Sequence, residues 1–131
     1  MKSLEQILQS QVDIYVIDST IDYKNYVAFD LSACHTDELN LDLTNSEKFE
    51  EFVEEHLTEN NAKVAFGGYL EKRNLYKRST TFNDHDTEER NVHIGLDLWI
   101  KAGTSVLSAI DGKVHSFQNN TLLGDYGPTI I

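Results

Sequence analysis

The run "IGLDLWIKAGTSVLSAIDGKVHSF", residues 94–117, limits the fold more than any other part of the chain. Its apolar residues are largely β-branched or aromatic, and glycine punctuates it at Gly95, Gly103 and Gly112. Such a stretch suits short strands joined by turns and excludes a long helix. Ala102-Gly103 reads as a turn. Asp111-Gly112 lies between apolar runs and suits a two-residue type I′ hairpin turn, where both residues have positive φ. "GDYGPT" gives a further turn, and "TII" at residues 129–131 reads as the start of a strand.

Upstream, the pattern changes period. "TNSEKFEEFVEEHLTENN" predicts a helix over residues 44–58, with Phe49, Phe52, Val53 and Leu57 on one face. Thr44 and Glu47 fit a capping box, with Ser46 as a competing cap. Glu50, Glu51, Glu54 and Glu55 lie outside the apolar row and read as a solvated face. His56 sits near the apolar face and reads as a packing or capping residue. "SLEQILQSQ" predicts a short helix with Leu4, Ile7 and Leu8 at helical spacing and Ser3 as N-cap. "DIYVIDS" reads as a strand, "YVAFDLS" (Tyr26–Ser32) as a better one, and Val64–Phe66 as a strand entering a Gly67-Gly68 turn. "NDHDTEER", residues 83–90, is polar and reads as a loop.

Charge narrows the function. The net charge of −11 opposes sequence-independent nucleic-acid binding, which needs Lys and Arg to displace counterions from phosphates. It equally opposes docking on anionic membranes. The acidity is concentrated in residues 1–62, where 14 Asp and Glu face 3 Lys; residues 63–131 carry 8 of each sign. This predicts an acidic, helix-containing region over residues 1–60 followed by a β-rich domain over 61–131. The single cysteine, Cys34, has no internal partner for a disulfide and fits a reducing compartment. No secretory signal pattern opens the chain and no window is apolar enough for a membrane helix, so the expected location is cytoplasmic.

His93 and Asp97 carry the chemistry. Residues four apart on an extended strand share a face but lie about 13 Å apart. Two ligands of one zinc ion need bonds of about 2.0–2.2 Å. The pair is therefore either half of a metal site on a bent chain or a buried histidine and a turn aspartate. Gly95 between them is where a bend would fall. His85, between Asp84 and Asp86, is a second metal-like group, of a kind that polar loops collect by chance.

The series His93, Gly95, Asp97, Gly103, Thr104, Val106, Ala109, Asp111, Gly112 and Val114 resembles the core of lysostaphin-like zinc metallopeptidases, the peptidoglycan endopeptidase type. "DYGPTII" (125–131) is similar to the Tyr-Gly segment before that family's next strand, and "GGYLEKRNLYKRSTTF" to a soluble subgroup. The likeness covers residues 66–131. It implies an α+β fold with a mainly antiparallel half-barrel sheet, and zinc held by His93 and Asp97. It also implies a third ligand and a base from a His-x-His motif, which these 131 residues lack. His35, His56, His85 and His115 form no such pair.

Three readings follow. The first is the N-terminal part of a zinc metallopeptidase that hydrolyses peptide bonds, inactive in this chain and binding zinc weakly or not at all. The second is a non-catalytic binding or regulatory module on the same fold. The third is a phosphocarrier or lipoyl-type domain, for which the Asp111-Gly112-Lys113 tip is a poor match. The expected partners are a peptide or protein, with a homo-oligomer formed through an unpaired sheet edge near Ile131.

Overall fold

Strand β2 (Val64–Gly67) organises the larger part of the molecule, because it is hydrogen-bonded on both sides. On one side it pairs in parallel with β1 (Tyr26–Ala28), with Val27 opposite Ala65. A parallel pair needs a crossover, and the described residues of this one include the helices α1 (Ala33–Glu38) and α2 (Ser46–Glu59). On its other side β2 pairs antiparallel with β5 (Asp97–Trp99), with Ala65 opposite Trp99 and Gly67 opposite Asp97. A second, two-stranded antiparallel sheet joins β3 (Glu71–Lys72) to β4 (Val92–His93). A third joins β6 (Phe117–Asn119) to β7 (Pro128–Ile130). The computed structural model describes residues 3, 6, 9, 10, 14–38, 45–73, 91–122 and 125–131. The fold is α+β with small, mostly antiparallel sheets, and the described residues form no closed barrel.

The chain divides into two compact units, residues 22–101 and residues 1–21 with 102–131. This division does not follow the change in charge near Asn61, because β1 from the acidic part pairs with β2 from the neutral part.

The core of the 22–101 unit forms around Phe29, Leu31, Val53 and Ala65, all buried. Helix α2 supplies one wall. Phe49, Phe52, Val53 and Leu57 turn towards the core, while Glu50, Glu51, Glu54 and Glu55 stay exposed. Phe29 lies 5.0 Å from the Trp99 ring, edge-on, and 5.5 Å from Phe52. The His56 ring lies 5.0 Å from that of Phe29, tilted by 48°, and its Nε2 lies 2.9 Å from the Ala28 carbonyl, so it both packs and bonds. The helix begins one residue later than the capping box suggests. Asn45 is the N-cap, its side chain accepting from Lys48 N–H at 3.1 Å; Thr44 lies outside the described residues. "Asn60-Asn61-Ala62" ends the helix. Asn61 adopts φ 47°, and the amides of Asn61 and Ala62 donate to the carbonyls of Thr58 and Leu57, the Schellman pattern.

In the other unit, Ser3 and Gln6 exchange side-chain-to-amide hydrogen bonds at 3.2 and 3.0 Å, a reciprocal cap. Leu4, Ile7 and Leu8 lie outside the described residues. Among the described residues of "DIYVIDS", 14–19, a single bridge forms, Ile17 with Val106, rather than a strand. Gly103 has φ 88°, consistent with the turn at Ala102-Gly103. The type I′ turn expected at Asp111-Gly112 is absent, since neither residue has positive φ. The strand after it pairs instead with "PTI", Phe117 opposite Ile130, around the turn that holds Gly127 at φ 67°. Phe117 and Ile130 are 79% and 75% exposed. No described helix is long and apolar enough to cross a membrane.

Replacing Phe29 by Ala should remove about 3–5 kcal/mol from the unfolding free energy. Phe117→Ala should change it by no more than about 0.5 kcal/mol. Urea denaturation followed by circular dichroism compares the two.

Candidate functional site

Two adjacent strands turn the same corner. On one, β2 ends at Gly67 and β3 begins at Glu71; on the other, β4 ends at His93 and β5 begins at Asp97. Gly67 is opposite Asp97 before the corner, and Glu71 is opposite His93 after it. The ribbon therefore bends over three residues on each strand, 68–70 and 94–96. Gly68 with φ 94° and Leu70 with φ 57° make the inner turn, closed by Glu71 N–H donating to Gly68 O at 3.2 Å. Gly95 lies on the other strand's bend. Its backbone is not in the left-handed region; its role is room, because a Cβ there would lie 3.1 Å from both Cε1 and Nε2 of the His93 ring.

The bend brings His93 and Asp97 together. His93 Nδ1 lies 2.9 Å from Gly68 O. A carbonyl only accepts, so Nδ1 carries the proton and the neutral ring keeps its lone pair on Nε2. Nε2 stands 3.6 Å from Asp97 Oδ1. The other carboxylate oxygen, Oδ2, accepts from Arg73 Nη2 at 2.7 Å. Arg73 Nε donates to Glu71 Oε2, and Glu71 Oε1 accepts from the Leu31 amide at 2.7 Å. Arg73 is 7% exposed. Burial works against its charge, but the hydrogen bonds to Asp97 and Glu71 outweigh that, so the guanidinium is held protonated above its ordinary value.

With the ring neutral, this arrangement points two acceptors at each other. A neutral imidazole nitrogen and a carboxylate oxygen repel unless something positive lies between them. A proton on Nε2 makes an ion pair. A metal ion makes a pair of ligands, and two donors bonded at about 2.1 Å to a tetrahedral ion stand about 3.4 Å apart. Fixing the ring by a hydrogen bond from its other nitrogen to a backbone carbonyl is also how metal-bound histidines are oriented.

His56 belongs to the core, and His115 is exposed with Nδ1 3.1 Å from Ser116 Oγ. His35 lies on α1, and His85 lies outside the described residues. Among the described residues, no group of three or more His, Cys, Asp and Glu could hold a metal ion. Two participants escaped the reading of the sequence, Glu71 and Arg73. Their only signal is position, just past a double glycine in a strand that faces His93.

Comparison with family models, with curated proteins and with solved structures finds no match to this chain. The corner itself is open to test. A Cβ on Gly68 would lie 2.7 Å from His93 Nδ1, 2.8 Å from Asp97 Oδ2 and 2.9 Å from Arg73 Nη2, at a φ that L residues rarely adopt. Gly68→Ala should therefore destabilise the fold by at least about 1–3 kcal/mol, read by urea denaturation. A change within about 0.5 kcal/mol would contradict this packing.

Proposed function

We propose that His93 and Asp97 are two protein ligands of a zinc ion in a domain of the lysostaphin-like metallopeptidase type. The observation that carries this reading is that His93 Nε2 stands 3.6 Å from Asp97 Oδ1, close to the separation of two zinc ligands. The sequence resemblance agrees with it. His93 and Asp97 would hold the ion through Nε2 and Oδ1. When bound, zinc acidifies a coordinated water towards neutrality and so supplies a nucleophile for peptide hydrolysis. A third ligand and a base would come from a His-x-His motif, which these 131 residues lack. With two protein ligands the donor set is incomplete, and these residues bind zinc weakly and without peptidase activity. The bent ribbon is read as part of the half-barrel sheet, and the substrate class as a peptide.

A second reading keeps the same atoms. With a proton on Nε2, the pair is an ion pair that pins the corner, and the domain is a non-catalytic binding or regulatory module. Self-association is proposed through the β6–β7 hairpin, whose Phe117 and Ile130 side chains are exposed. Light scattering at rising concentration should give a mass above the 14.9 kDa of one chain; a constant monomer mass contradicts it.

Zinc titration by calorimetry decides between the first two readings. Extension through a His-x-His strand should convert weak binding into tight binding, and His93→Ala or Asp97→Ala should abolish it. If the extended chain binds no better, or the alanine variants bind as well as their parent, the peptidase reading fails.

A further inference from the structure

Arg73 is a buried cation with a fixed shape. A guanidinium offers its donors as a rigid planar fork, and this one directs Nε to Glu71 and Nη2 to Asp97. The two carboxylates differ in surroundings. Glu71 has a side chain 9% exposed and a second hydrogen bond from the amide of Leu31, a core residue. Asp97 is 30% exposed and has Oδ1 turned towards His93. Three formal charges, two negative and one positive, leave a surplus of one negative charge. Arg73 is paired to both carboxylates, so the surplus is shared between them, and Asp97 is the more exposed of the two. Gly68 packs against this group closely enough that an added methyl would meet Arg73, Asp97 and His93 together. Asp97 is thus held at the end of a line that starts at the core.

We propose that Glu71 and Arg73 are positioning residues for the metal pair. Arg73 occupies Oδ2 of Asp97 and so presents Oδ1, as a single-oxygen ligand, to an ion shared with His93 Nε2. Glu71 aims the guanidinium and helps to offset its charge, which would otherwise repel a divalent cation. The inference rests on the zinc reading of His93 and Asp97, and it adds which residues make that pair competent. Groups that hold a metal ligand in place typically change metal affinity by about 10–100-fold when removed.

The test follows the ¹⁵N resonances of the His93 ring while zinc chloride is added, a readout that detects weak binding at a known atom. The variants are Arg73→Lys, Glu71→Gln and the double Glu71→Gln/Arg73→Met, which replaces the buried charges by uncharged groups. Circular dichroism and thermal melting of the zinc-free proteins establish that each is folded. The double variant should bind zinc at His93 about 10–100-fold more weakly than the parent. Arg73→Lys should also weaken it, because an ammonium keeps the charge but cannot fork between two carboxylates. A folded double variant with the parent's zinc affinity overturns the positioning role and leaves the zinc reading standing. A parent whose His93 resonances ignore zinc overturns both. If the double variant does not fold, Arg73→Lys and Glu71→Gln carry the same criterion, and undiminished affinity in both overturns the proposal.

Discussion

The candidate site depends on one position having no side chain. Gly68 supplies a positive φ that turns the β2 strand into β3, its carbonyl orients the His93 ring, and its missing Cβ leaves space for three polar side chains to meet. Without that turn, Glu71 would not come opposite His93, and Arg73 would have no route to Asp97. The register transmits the constraint. Once Gly67 pairs with Asp97, the strand spacing fixes where His93 must fall.

The cost of this corner is a buried charge network. Taking a guanidinium and a carboxylate out of water is expensive, and a buried ion pair is often no more stabilising than apolar residues of similar shape. Its presence is better explained by orientation. Arg73 has two hydrogen-bonded carboxylate partners, and Glu71 has a backbone amide as well. A network satisfied in this way holds its members in one arrangement. Here the member at its open end is Asp97.

Some of this was legible in the sequence. The apolar row of α2 is regular because one face must cover the aromatic core around Phe29, and helical periodicity records that directly. The bend between His93 and Asp97 was readable from Gly95, although the physical reason proved to be room for the His93 ring rather than unusual backbone angles. Other features left no trace. An arginine inside "YLEKRNLYKR" looks like any surface cation, and only strand pairing across residues distant in sequence buries Arg73. Asp111-Gly112 has the composition of a tight hairpin, but pairing between β6 and β7 placed the turn later. Asn45 outcompeted the expected caps because the helix starts directly after it, which puts its side chain within reach of the Lys48 amide.

The central claim is that His93 Nε2 and Asp97 Oδ1 converge on a cation. A crystal grown with zinc, with diffraction recorded on either side of the zinc absorption edge, addresses it directly. The account predicts an anomalous peak between those two atoms, about 2.0–2.2 Å from each, with Arg73 still on Oδ2. Zinc bound elsewhere, or a bare pair with Nε2 and Oδ1 still facing each other in the presence of the metal, would contradict it and leave the two residues as an ion pair that pins the corner.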